Sequence, residues 1–226
     1  MSRLEIVLMS VLSVAVLLAT YAGWLPYSMI EILGSVTGAV GVYLTIKEHI
    51  WNYPIGIANN IFYIVVFWHS RLYADMSLQF VYIGFAIHGW YCWLCGGENK
   101  TALRITRASA STLLWTLAFV PVATVLLRWL LIKFNGAAPF LDAFTTALSL
   151  AAQYLLNRKH LENWHIWILA DIIYVPMYYS RHLAPTAVLY AIFLIMAFAG
   201  LMNWRQLYKR ADWETAIGPD IEPARS

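Results

Sequence analysis

The stretch Asn163-Trp-His-Ile-Trp-Ile-Leu-Ala-Asp171 decides the fold when it is read beside Asn52-Tyr-Pro-Ile-Gly-Ile-Ala-Asn-Asn60, 111 residues upstream. Each opens an apolar run of helical length. At about 100° per residue, Trp164, Trp167 and Asp171 share one narrow helical face. Tyr53, Gly56 and Asn60 fall on the matching face of the other run. Two indoles and a carboxylate aimed together suit a flat, cationic ring, because an indole face attracts a cation by about 0.5–2 kcal/mol. In place of the second indole and the carboxylate, the upstream copy offers a glycine and an amide. Such asymmetry fits one ligand held unequally by two related walls.

The match extends well beyond these two runs. Without a gap, residues 43–93 align with residues 154–204, and 13 of the 51 positions are identical, Tyr43, Leu44, His49, Asn52, Tyr63, Gly89 and Trp93 among them. Shared apolar composition alone gives roughly four or five. The repeat unit holds three helices, and one further helix joins the two units. That odd linker returns the chain to its starting side, so both triplets have the same orientation. Parallel repeats of this kind characterise transporters whose site lies between the halves near the membrane midplane. The plainer alternative is a duplicated scaffold that transports nothing.

Composition places these helices in a membrane. Of 226 residues, 61% are hydrophobic and 12% charged, against roughly 45–50% and 25% in soluble domains. Eight spans are expected, near residues 4–24, 28–46, 52–69, 73–95, 110–132, 139–156, 163–180 and 184–205. The fold class is therefore an all-α polytopic membrane protein. An extra N-terminal helix (1–27) precedes a first triplet (28–95), a loop and linker helix (96–138), a second triplet (139–206) and a polar tail (207–226). Alternating sides through eight spans gathers eleven basic residues on one side, Lys100, Arg104, Arg107, Arg158 and Lys159 among them, and leaves only Arg71, Arg128, Lys133 and Arg181 on the other. By the positive-inside rule both termini are cytoplasmic. A net charge of +3 thus reports orientation and is no signal for nucleic acid.

Polar groups at membrane depth are costly and face a cavity or a partner. Besides Asp171, the candidates are Asn60, Tyr63 and Tyr174 on the paired stripes, and Gln79 in the fourth span. Inter-helix hydrogen bonding is the plainer role for Asn60 and Gln79, and interfacial anchoring is the plainer role for several of the 11 tryptophans. Cys92 and Cys95 form a C-x-x-C at the end of a span, with no second pair to complete a metal site. No histidines are spaced as metal ligands, and no catalytic constellation assembles around the solitary Asp171, so neither an enzyme nor a cofactor is expected.

Four motifs make the chain resemble a known family. They are Trp51-Asn-Tyr-Pro-Ile-Gly-Ile-Ala-Asn-Asn60, Leu72-Tyr-Ala-Asp75 with Gln79, Gly89-Trp-Tyr-Cys-Trp93, and Glu162-Asn-Trp-His-Ile-Trp167. Across residues from about 30 to 206 the sequence is similar to the PnuC family of bacterial vitamin transporters, whose W-x-x-W-x-x-x-N/D pattern is met by Trp164, Trp167 and Asp171. The resemblance implies a 3+1+3 fold like the SWEET sugar transporters, in a homotrimer in the bacterial inner membrane. It also implies facilitated diffusion, with cytoplasmic phosphorylation trapping the vitamin. Trp164, Trp167, Asp171 and Gln79 carry over as substrate contacts; Asn60, Tyr63 and Tyr174 are added from the paired stripes. Nicotinamide riboside is the first substrate expected, thiamine the second and a deoxynucleoside the third. A non-transporting membrane binding or scaffold protein is the reading from another class.

Overall fold

The computed structural model describes residues 29–69, 73–133, 139–180 and 184–217. The expected span over residues 4–24 lies outside them. Among the described residues there are seven α-helices: α1 (Met29–Ile46), α2 (Asn52–His69), α3 (Tyr73–Cys95), α4 (Ala110–Lys133), α5 (Pro139–Asn157), α6 (Asn163–Ser180) and α7 (Ala184–Ile217). A short 3₁₀ turn, Glu98–Lys100, lies in the loop before α4. The described part is all helical, apart from an isolated bridge between Thr106 and His160.

By length and composition alone, segments of α4 and α7 are long and apolar enough to cross a membrane. The 34 residues of α7 span about 51 Å, against a hydrocarbon core of about 30 Å. Its end must therefore project into water. The polar tail expected from residue 207 begins as helix, because α7 runs on to Ile217. Leu207 and Tyr208 pack on the core, Arg107 lies over the Tyr208 ring, and the intervening residues are good helix formers.

Helices α1, α2 and α3 pack in sequence, as do α5, α6 and α7. Between the two groups, α1 lies against α7 and α3 against α5, while α4 rests on α5. Contacts at positions 111 apart recur and are exchanged. Trp93 Nε1 donates to the Leu156 carbonyl at 3.1 Å, and Trp204 Nε1 donates to the Thr45 carbonyl at 3.1 Å. Tyr53 meets Trp93 edge-on at 5.2 Å, and Trp164 meets Trp204 edge-on at 5.5 Å. Contact of i with j matched by contact of j′ with i′ is the pattern of a two-fold relation.

The loops that follow α1 and α5 match in the same way. Glu48 (φ 56°) and Lys159 (φ 51°) both take the left-handed conformation that ends a helix. His49 N–H then returns to the Leu44 carbonyl at 2.8 Å, and His160 N–H to the Leu155 carbonyl at 2.9 Å. Glu48 and Lys159 also pair with each other, Nζ to Oε1 at 2.5 Å. Lys159 lies 4.3 Å above the Trp93 ring as well, so the cation is held from two directions.

Candidate functional site

A cavity of about 310 Å³ lies between the two helix groups. Seven pairs of residues 111 apart line it, among them Tyr53 with Trp164, Gly56 with Trp167, Asn60 with Asp171, and Tyr82 with Phe193. The paired stripes of α2 and α6 thus face each other across one space. Its size is at the lower end of small-molecule sites, which run from about 300 to 1,000 Å³.

The α6 wall carries the charge. Asp171 is 4% exposed, and no hydrogen bond or ion pair to its carboxylate occurs among the described residues. Trp167, one turn away, is half-buried and shares the lining. Trp164 is 2% exposed, packed edge-on against Trp204 and over the bare backbone of Gly200. The small residue at Gly200 is what allows the indole to sit there. Its Nε1 is buried with no hydrogen-bond partner among the described residues.

On the α2 wall, Asn60 lines the cavity beside Asn59. Asn59 is already engaged: its Nδ2 donates to Thr37 Oγ1 and to the Gly34 carbonyl, tying α2 to α1. Asn52, at the start of α2, lines the cavity with both amide atoms unpartnered among the described residues. Among the described residues no lysine, arginine or histidine lines the cavity.

Of the residues singled out from sequence, the structure brings Trp164, Trp167, Asp171 and Asn60 to the cavity wall. Three stand elsewhere. Tyr174 is one layer back, its ring 4.4 Å from the cavity-lining Tyr190 and its hydroxyl 3.4 Å from Ser149. Tyr63 places its hydroxyl against Gly34 and stacks on Phe67 at 5.6 Å. Gln79 is half-buried one turn beyond Tyr82 on the same face of α3, outside the lining set. Sequence reasoning passed over Tyr82, Tyr190 and Asn52. The repeat held the signal for Tyr190, since it is the counterpart of Gln79.

A helical membrane bundle with a solute-sized cavity between two related three-helix groups defines a class of small-molecule transporters. Residues 28–206 match the family described as nicotinamide mononucleotide transporter, and the chain belongs to that family. The nicotinamide riboside transporter PnuC of Escherichia coli (strain K12) is 27% identical over 221 residues, covering 86% of this chain and 92% of its own length. The riboflavin/roseoflavin transporter RibM of Streptomyces davaonensis is 22% identical over 178 residues, covering 77% of this chain and 83% of its own. A crystal structure of the vitamin B3 transporter PnuC shares the fold at a TM-score of 0.71 and 23% identity, over 93% of this chain and 94% of that one. The motif resemblance to PnuC therefore holds. These relatives are transporters, and the protein is a membrane transporter rather than an enzyme.

Proposed function

We propose that the protein takes up a small cationic vitamin, nicotinamide riboside first, across the bacterial inner membrane. One observation carries this reading. A buried carboxylate, Asp171, faces the cavity beside Trp167 and finds no cation among the described residues. A ring cation would supply the missing charge and take the indole face at the same time. The absence of basic lining residues among those described favours a nucleoside over a phosphorylated nucleotide, whose anionic group would meet a carboxylate with no described cation to balance it. The relatives named for nicotinamide riboside support the same substrate.

Thiamine is the second reading, because its thiazolium would satisfy Asp171 equally well. The riboflavin-named relative adds a neutral flavin to the ligands worth testing, but such a ligand gives the carboxylate less to do.

The exchanged contacts between the two helix groups support a 3+1+3 architecture with parallel repeats, to which residues 4–24 add an eighth span. Alternating access follows if one triplet rocks against the other around the cavity, with both termini cytoplasmic and phosphorylation inside trapping the vitamin. A homotrimer, each protomer with its own pathway, completes the reading. No ion gradient is required.

Purified protein in liposomes tests this directly. Labelled nicotinamide riboside should enter down its gradient, with saturation and without an imposed ion gradient, and unlabelled thiamine and riboflavin should be compared as competitors. Tight binding with no flux would instead identify a binding or scaffold protein.

A further inference from the structure

The cavity has a second polar end that the cationic ring leaves unused. Asn52 begins α2, is 7% exposed and lines the cavity, yet neither its Nδ2 nor its Oδ1 has a hydrogen-bond partner among the described residues. Buried polar groups are normally bonded, and a buried amide with both atoms free is an exception that calls for a partner. Trp164, on the opposite helix group, also lines the cavity, and its Nε1 is buried and unpartnered among the described residues.

The counterpart of Asn52 shows what a purely structural asparagine does at this position. Asn163 sits in the same local backbone: Asn52 N–H meets the His49 carbonyl at 3.1 Å, and Asn163 N–H meets the His160 carbonyl at 3.1 Å. The Asn163 side chain turns back on its own loop, Nδ2 donating to the His160 carbonyl at 2.6 Å while Oδ1 stays unpartnered among the described residues, and it does not line the cavity. Asn52 makes no such bond. The backbone is duplicated, and only the side chain on the cavity departs from the capping role.

Eight residues of α2 separate Asn52 from Asn60, about 12 Å along the axis. A ligand reaching both ends must therefore be elongated, with its charge at one end and its hydrogen-bonding groups at the other. An amide that donates and accepts, together with an indole that only donates, matches neighbouring hydroxyls. A hydroxyl pair can accept from Nδ2–H and Nε1–H while donating to Oδ1.

We propose that Asn52 and Trp164 Nε1 form a hydroxyl-binding subsite for the sugar or hydroxyalkyl arm of the ligand, while Trp167 and Asp171 take its ring. This rests on the cation-site reading above, and it makes Asn52 a specificity-determining residue.

The test titrates purified protein with nicotinamide riboside and with N-methylnicotinamide, which keeps the cationic ring and replaces the sugar with a methyl group. Wild type should bind the riboside at least tenfold more tightly. Asn52→Leu should weaken the riboside at least tenfold and move N-methylnicotinamide by less than twofold. Trp164→Phe keeps an aromatic ring without the N–H, and should show the same split if the leucine variant does not fold. Equal losses for both ligands would make Asn52 a structural cap and overturn the subsite. So would an unchanged riboside affinity, or, where thiamine and not the riboside binds, a thiamine affinity that Asn52→Leu leaves unchanged. Wild type that binds neither nicotinamide riboside nor thiamine would sink the cation site itself, a result distinct from failure of the subsite.

Discussion

Among the described residues the Asp171 carboxylate has only the cavity to answer it, so its neutral and truncated replacements separate two roles. Asp171→Asn keeps shape and hydrogen bonding but removes the charge. Loss of a cationic ligand by at least tenfold, or about 1.4 kcal/mol, is the expected result in a binding titration. Equal affinity in the two proteins would show that ion pairing is not its task. Trp167→Ala and Asp171→Ala should each weaken binding at least tenfold while the mass of the purified protein, followed by size-exclusion light scattering, stays unchanged. Asp171 and Trp167 were legible from sequence because acidic residues at membrane depth are rare and their spacing aims both one way. Asn52 was not, since an asparagine beside a helix start reads as a cap. What distinguishes it from Asn163 is an Nδ2 left unpartnered among the described residues, on the cavity wall. A second residue-scale effect lies outside the spans, at His160. Burial among its neighbours holds this imidazole below its ordinary value, and Thr106 Oγ1 lies 3.0 Å from Nδ1. A depressed value in the folded state means stability that is full above the unfolded pKa, about 6.5, and lost as pH falls through the folded one. Unfolding temperature should therefore drop on acidification toward pH 5, and His160→Gln should lessen that drop.

Between elements, close approach depends on two glycines 111 positions apart. A Cβ on Gly200 of α7 would overlap the Trp164 indole of α6, and one on Gly89 of α3 would overlap Tyr53 of α2 and the Asn157 amide of α5. Overpacking of this kind costs about 1–3 kcal/mol. Both alanine variants should unfold at lower temperature. Gly200→Ala should also weaken ligand binding by displacing Trp164, whereas the same change at Gly89 meets Tyr53 and Asn157 instead. Unaltered stability and binding in Gly200→Ala would mean that the indole relaxes without consequence. The described helices up to α6 were readable almost residue for residue, because long apolar runs broken by Pro, Gly and charged loops leave little choice of boundary. Less visible was the extension of α7 past residue 206. Hydropathy ends where lipid ends, and the Arg107–Tyr208 contact that steadies the projecting turn joins positions distant in sequence.

Over the whole molecule, the two helix groups meet at Glu48 and Lys159, whose side chains are 27% and 6% exposed. Breaking one partner of a buried pair costs about 3–5 kcal/mol, mostly by stranding the other charge. Lys159→Glu should therefore destabilise the protein strongly. Adding Glu48→Lys should recover a good part of the loss, less the contact of Lys159 with Trp93. A double-mutant cycle on thermal unfolding measures the coupling, and strictly additive effects would show that the pair contributes nothing. One consequence concerns what the two halves could be. On a two-fold relation a residue at the axis faces its own counterpart, so identical halves would set glutamate against glutamate or lysine against lysine at this point. A dimer of two copies of one half-length chain could never make this contact. The pair is open only to halves that have become different, and in that sense it marks the point at which dissimilarity, rather than symmetry, joins them.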